Sequence, residues 1–349
     1  MGSAGGGGTL RFEPLHATFV AQVHGVDWTK PIPDAVIDEI QAGIDKYGVL
    51  VFRAANIDND TQVNFMRRFG ELDSMPNLRD RRFPDQPHIF DVSNLDGQGN
   101  IIRETDRVSS LMNKGNQLWH TDMTYHPRRD KYSLLRAVEI PPKGCGGETE
   151  FADSRSAYEA LSPEWKARLE DVVCDCSLLY NRREAAPDLY KGVDPFEYSI
   201  SRWKAVYPHP GSGRKNLYLT SYAYKLDGYS VEESKRIADE LIAHGTQPRF
   251  VYKVLWEQPG DLVMWDNTAV WHRALDDSAY LHKYRRDMRR TNTFDDGEFA
   301  WGENEPGKWW HVKMPKDPLA HEKGQNQDRP QAAEKTGVLL STSEVQQVA

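Results

Sequence analysis

The run Val49-Leu-Val-Phe52 is apolar at every position and reads as a buried strand. Comparable extended stretches recur down the chain. They are Tyr132-Ser-Leu-Leu-Arg-Ala-Val138, Glu148-Thr-Glu-Phe-Ala152, Asn216-Leu-Tyr-Leu-Thr220, Phe250-Val-Tyr-Lys-Val-Leu255, Asp261-Leu-Val-Met-Trp265, Ala269-Val-Trp-His272 and the basic run from Tyr284 to Thr293. Loose alternation over residues 10 to 30 adds short strands near the start. Many short strands separated by turns predict a mostly β fold with α additions, a jelly-roll-like double sheet decorated by helices.

The helices carry their own boundary signals. One opens at Pro33-Asp34, places Val36, Ile37, Ile40 and Ile44 on one face and ends at Gly48. A second, capped within Asp58–Asp60, carries Val63, Met66 and Phe69 and ends at Gly70. Two more are expected at about 154–161 and 163–172, the latter with Ser162 as cap and Pro163 at its first position. Ser230-Val-Glu-Glu233 is a capping box that opens a helix ended by Gly245.

With 349 residues, 39% of them hydrophobic, the chain can bury one large core. Residues 10–315 read as a single domain, 1–9 as a flexible Gly-rich leader and 316–349 as a polar tail. Between 74 and 115 prolines, glycines and charges dominate around a short strand at His88–Val92, which predicts a lid. The region 180–215 reads as loop-rich. A formal charge of -8 without a basic run argues against a nucleic-acid partner. No stretch has the length and apolarity of a membrane span, and the start lacks the apolar core of a secretory signal. Three cysteines without zinc-type spacing fit a reducing compartment, the cytoplasm. Cys174 and Cys176 could share one strand face and read as structural.

The chemistry concentrates in Asn116-Gln-Leu-Trp-His-Thr-Asp-Met-Thr-Tyr125. His120 and Asp122, two apart on an extended strand, would point to one face and converge on one ion. His272, on a late strand, is the candidate third ligand of a two-His-one-carboxylate iron site. Taken alone it would be a core or surface histidine satisfied by a carbonyl. The neighbouring Arg285-Arg-Asp-Met-Arg-Arg290 shifts that balance. Arg286 and Arg290 are four apart, so on a strand they share a face. Two inward guanidiniums are costly unless each meets an anion, although a solvated basic strand would show the same spacing. A zinc hydrolase using the same three ligands, or a non-catalytic jelly-roll binding protein, are the competing readings.

Several motifs, in order, resemble the taurine / 2,4-dichlorophenoxyacetate dioxygenase family, most closely its aryloxyacetate-type branch. They are Phe69-Gly-Glu-Leu72, Asn116-Gln-Leu-Trp-His-Thr-Asp122, Gly146-Gly-Glu-Thr-Glu-Phe-Ala-Asp153, Gly213-Arg-Lys-Asn-Leu-Tyr-Leu219, Leu262-Val-Met-Trp-Asp-Asn267 and Arg286-Asp-Met-Arg-Arg-Thr291. The resemblance covers roughly residues 10 to 300. It implies a double-stranded β-helix enzyme that uses Fe(II), 2-oxoglutarate and O2 to oxidise a small anionic substrate, a carboxylate or sulfonate. Hydroxylation, desaturation, cyclisation and cleavage all remain open outcomes. By the same resemblance His120, Asp122 and His272 match the metal ligands. Thr149 and Arg286 match the groups that hold the distal carboxylate of 2-oxoglutarate, and Arg290 and Asn116 match substrate-side positions. Two departures fall near the family's substrate pocket. Close relatives often carry histidine shortly after the Leu-Tyr-Leu strand, where this chain has Ser221-Tyr-Ala-Tyr224. Taurine-type members use histidine after Phe-Gly-Glu-Leu, where this chain has Asp73-Ser-Met-Pro76. Tyr222 and Met75 are therefore further candidates for substrate contact. Family members often form homo-oligomers.

Overall fold

In the computed structural model, which describes residues 9–74, 82–103, 105–275 and 279–323, Val49 and Val51 pack on one face of a sheet. Leu50 and Phe52 pack on the other face. Both sides are covered, which is why the run carries no polar alternation. The sheet holds, in order, Arg11–Pro14, Ala21–His24, Val49–Phe52, Leu262–Asp266, Asp130–Glu139, Asp287–Phe294 and Phe90–Asp91. Neighbours are antiparallel except for the parallel pairing of Ala21–His24 with Val49–Phe52.

A smaller sheet, Val251–Val254, Thr149–Asp153 and Val270–Ala274, faces it. Phe151, Val254 and Val270 from the small sheet share one apolar cluster with Val49, Val51, Leu135, Ala137, Val263, Trp265 and Met288 from the large one. That cluster is the interior of the jelly roll. On the outer face of the large sheet, Ile37, Ile40 and Ile44 of the Asp34–Tyr47 helix and Phe65 and Met66 of the Asn59–Met66 helix cover Leu50, Phe52, Leu134, Leu262 and Met264. Gly48 ends the first helix in the left-handed conformation at φ 71°, and Asp58 caps the second through Thr61 N. The helices at Ser154–Glu159 and Pro163–Leu169 and the capping box at Ser230 stand where the sequence puts them.

Two segments differ from expectation. The region 180–215 is loop-rich over 186–200 and 209–214, as expected, but it also holds regular elements that the sequence pattern did not place. It contains the end of a Leu178–Ala185 helix and the strands Ser201–Lys204 and Val206–Pro208. Alternation hides the first strand: Ser201 and Trp203 are buried, whereas Arg202 is exposed. The predicted lid holds the Phe90–Asp91 strand and an unforeseen helix, Arg107–Asn113, capped by Asp106 through Ser109 N. Residues 1–8 of the leader and most of the tail lie outside the described residues. The first residues of the tail dock, with Pro318 O accepting from Tyr190 N at 2.7 Å and Leu319 packing beside Leu189.

Candidate active site

His120 and Asp122 do not share a strand. His120 forms a single antiparallel bridge with His272, its N–H donating to His272 O at 3.0 Å and accepting in return through its own carbonyl at 2.8 Å. The chain then turns over 122–125, with Met123 at φ 59°. A turn, not a pleat, brings Asp122 back toward His120. The turn is secured by Ser201 Oγ donating to Thr124 O at 2.6 Å and by Asp122 N donating to Asn267 Oδ1 at 3.0 Å.

The three side chains nonetheless converge. One ligand atom from each of His120, Asp122 and His272 lies within 4.8 Å of the others, and all three residues are buried. The imidazole centroids are 4.3 Å apart. His120 Nδ1 sits 2.7 Å from Leu118 O, so it carries the hydrogen and leaves Nε2 as the ligand atom. Burial, reinforced by His272, holds the His120 imidazole neutral down to about 3. Burial alone would raise the Asp122 carboxyl. The charge of Arg290 and the adjacent His272 outweigh it and hold that carboxyl well below the usual carboxylate range. A neutral imidazole with its lone pair free and an ionised carboxylate are the states a divalent metal requires. The donor set fits Fe(II), and His272 Nε2, which stands 3.6 Å from Asp122 Oδ1, faces the same point.

Asp122 is aimed by a network that spacing alone did not reveal. Ser133 Oγ donates to its Oδ2 at 2.8 Å and accepts from Asn267 Nδ2 at 3.0 Å. Asn267 belongs to the Trp-Asp-Asn motif, which was the available signal. Arg290 Nη1 donates to Asp122 Oδ1 at 3.1 Å, so this inward arginine already has an anion within the chain.

A cavity of about 290 Å³ opens beside the triad, lined among others by Val92, Asn116, Leu135, Thr149, Trp265, Arg286 and Arg290. Arg286 lies just before its strand. It donates from Nη1 to Val92 O at 3.0 Å and from Nη2 to Gly147 O at 3.1 Å. Gly147 stands at φ 95°, and a Cβ there would come within 3.0 Å of Arg286 Nε, so glycine makes room for the guanidinium. A charged fork and the Thr149 hydroxyl in one cavity fit a carboxylate such as the far end of 2-oxoglutarate.

Asn116 lines the same cavity, and its Oδ1 accepts from Arg182 Nη1 at 3.1 Å. Arg182 is 1% exposed, and nothing in its helix pattern marked it as buried. Gly115 makes room for it, since a Cβ there would fall 1.8 Å from Arg182 Nη1. Tyr222 is buried, with its ring edge-on to His120 at 6.0 Å and 5.0 Å from Tyr125, and burial pushes its hydroxyl up to about 12. Met75 falls outside the described residues. Cys174 and Cys176 are free, and burial raises both thiols, which agrees with a structural role.

Comparison with known proteins bears on the same features. A profile described as taurine catabolism dioxygenase TauD, TfdA family matches residues 11–292. The alpha-ketoglutarate-dependent 2,4-dichlorophenoxyacetate dioxygenase of Cupriavidus pinatubonensis is 36% identical over 286 residues, covering 81% of this chain and 97% of that protein. The (S)-phenoxypropionate/alpha-ketoglutarate-dioxygenase of Sphingobium herbicidovorans is 34% identical over 268 residues, covering 75% and 88%. The crystal structure of AAD-2 in complex with Mn(II) and N-oxalylglycine superposes with a TM-score of 0.72 at 37% identity, covering 83% of this chain and 98% of that one. These likenesses support the dioxygenase and not the zinc hydrolase or the non-catalytic binding protein. The chain therefore belongs to the TauD, TfdA family and is an Fe(II)- and 2-oxoglutarate-dependent dioxygenase.

Proposed function

We propose that His120, Asp122 and His272 hold the iron, that Arg286 and Thr149 hold the distal carboxylate of 2-oxoglutarate, and that Arg290, Asn116, Tyr222 and Met75 face a small anionic substrate. The observation that carries the substrate class is an imbalance of charge. Arg290 and Arg286 both line the cavity: Arg290 pairs with Asp122, which this reading also gives to the metal, and Arg286, the partner of the co-substrate in this reading, hydrogen-bonds to the neutral oxygens of Val92 and Gly147. Buried or half-buried guanidiniums without a carboxylate favour anions in the space beside them. With iron bound, Asp122 serves as ligand as well as partner of Arg290, so a carboxylate or sulfonate on the substrate supplies what Arg290 then lacks.

Fe(II) with 2-oxoglutarate and O2 supplies an oxidant that takes hydrogen from a C–H bond, with release of succinate and CO2. The protein's part is placement. Arg290 and Asn116 orient the substrate, the Tyr222 and Tyr125 rings wall off water, and Ser133 and Asn267 hold Asp122. We read residues 10–315 as one domain with 74–115 as its lid, and the three free cysteines support a cytoplasmic setting.

The test is succinate formation from 2-oxoglutarate against a panel of amino acids, aryloxyacetates and sulfonates, for wild type and Arg290→Ala. The reading requires one compound to raise turnover. It also requires Arg290→Ala to weaken apparent affinity for that compound more than apparent affinity for the co-substrate. Activation by neutral compounds alone, or equal losses of affinity for both, would refute the substrate class.

A further inference from the structure

Arg286 sits where the strand ladder gives out. Pairing of the Asp287–Phe294 strand with Asp130–Glu139 begins at Asp287, and the register shifts between Asp287 and Met288. The backbone at Arg286 is held instead by one residue, through its side chain and its own N–H. Asn94, 8% exposed, accepts through Oδ1 from Arg286 N at 2.8 Å and donates from Nδ2 to Tyr284 O at 2.8 Å. Its own N–H donates to Arg286 O at 3.2 Å, and its carbonyl accepts from Ile102 N at 2.9 Å. The carboxamide thus copies the pair of bonds that a neighbouring strand would supply.

The same segment reaches the guanidinium. Val92 O, two residues earlier, accepts from Arg286 Nη1 at 3.0 Å. Farther out, His282 Nδ1 lies 2.6 Å from Ile102 O, and Arg285 donates to Gly99 O while pairing with Glu139 at 2.6 Å. Val92, Asn94 and Arg286 all line the cavity beside the triad. Segment 92–102 and the head of Arg286 are therefore one mechanical unit, and neither can shift without breaking partly buried hydrogen bonds of the other.

We propose that Asn94 is a positioning residue that makes the grip of Arg286 on 2-oxoglutarate depend on the docking of segment 92–102. The proposal rests on the reading that Arg286 meets the distal carboxylate. Docked, the segment holds Arg286 extended toward Gly147 with its remaining N–H groups available to the carboxylate. Undocked, the guanidinium loses Val92 O and its backbone anchor together. Binding of the co-substrate should in turn stabilise the docked segment, since the coupling is reciprocal.

The experiment titrates N-oxalylglycine by calorimetry into the full chain loaded with Mn(II), comparing wild type, Asn94→Ala, Asn94→Asp and Arg286→Ala. Amide exchange of segment 93–103 is followed alongside. Asn94→Ala should weaken N-oxalylglycine about 10- to 100-fold, the loss of two partly buried hydrogen bonds, while Mn(II) affinity stays at the wild-type value. Asn94→Asp keeps the acceptor for Arg286 N and should lose less. In wild type, N-oxalylglycine should slow exchange at 94–102. Wild-type N-oxalylglycine affinity in Asn94→Ala together with lost affinity in Arg286→Ala overturns the role of Asn94 alone. Wild-type affinity in Arg286→Ala overturns the underlying assignment of Arg286. Should Asn94→Ala fail to fold, the exchange experiment on wild type decides, and unchanged exchange at 94–102 overturns the proposal.

Discussion

Gly115→Ala puts one methyl group against the buried cation behind the substrate side of the cavity. Its Cβ would lie 1.8 Å from Arg182 Nη1, 2.5 Å from Asn181 Oδ1 and 2.7 Å from Arg182 Cδ. Gly115 lies in the Lys114–Gln117 turn of helix and not in the left-handed region, so the backbone accepts alanine and gains about 0.5–1 kcal/mol from it. Against that gain, Arg182 must withdraw from Asn116 and Asn181, and hydrogen bonds to a charged group contribute about 1.5–3 kcal/mol each. The guanidinium is 1% exposed, so water does not replace what it loses. The net expectation is a destabilisation of about 2–5 kcal/mol, with unchanged m, in urea unfolding of the metal-free protein. Arg182→Ala alone should also destabilise, but Gly115→Ala added to it should cost less than in wild type, because both Arg182 contacts are gone and only Asn181 Oδ1 still has to shift. An unfolding midpoint for Gly115→Ala equal to wild type, or strictly additive effects in the double variant, would refute the packing argument.

Other predictions follow from single contacts. Ser133→Ala removes the donor to Asp122 Oδ2 and the acceptor of Asn267 Nδ2, and should weaken Mn(II) binding about 10- to 100-fold, measured by calorimetry, while costing about 1–3 kcal/mol in urea unfolding. Gly147→Ala forces a side chain into φ 95° and toward Arg286 Nε, and should weaken N-oxalylglycine while destabilising the fold by about 1–3 kcal/mol. Asp130 is buried, and burial, with Asp73 and Asp122 adding to it, raises its carboxyl well above the ordinary range. The folded protein thus keeps a proton that the unfolded chain releases above about pH 4, and stability falls by up to about 1.4 kcal/mol per pH unit until the folded value is reached. Asp130→Asn removes that dependence, so between pH 5 and pH 8 its urea midpoint should fall less than that of wild type. Parallel midpoints across the range would show that Asp130 is already ionised.

The legible parts of this chain are those where one local rule acts alone. Ser230 with Glu233, Ser162 with Pro163, and Gly48 after Ile44 each satisfy backbone groups in their own turn, and each stands as expected. Val49–Phe52 was readable because both faces of its sheet are covered. The three metal-ligand candidates are legible too, but the shared strand face that the His-x-Asp spacing predicts is not what brings two of them together. His120 and Asp122 converge through a turn closed by Ser201 and Asn267, which come from distant parts of the chain. The strand at Ser201–Lys204 and the helix around Arg182 were missed for a related cause. Their charged residues mimic a solvated loop, and only tertiary packing shows that Arg182 lies against Gly115 and Asn116. Asn94 carries no periodic signal, since its role is to stand in for a strand neighbour.

The most direct test of the account is O2-dependent succinate formation from 2-oxoglutarate with Fe(II), run on wild type, Asp122→Asn and His272→Ala beside calorimetric Mn(II) binding. The account predicts succinate from wild type only when iron and O2 are both present. It also predicts that each variant loses metal binding and turnover together while unfolding as a folded protein does. Retention of tight metal binding and turnover by either variant would contradict the placement of the iron between His120, Asp122 and His272.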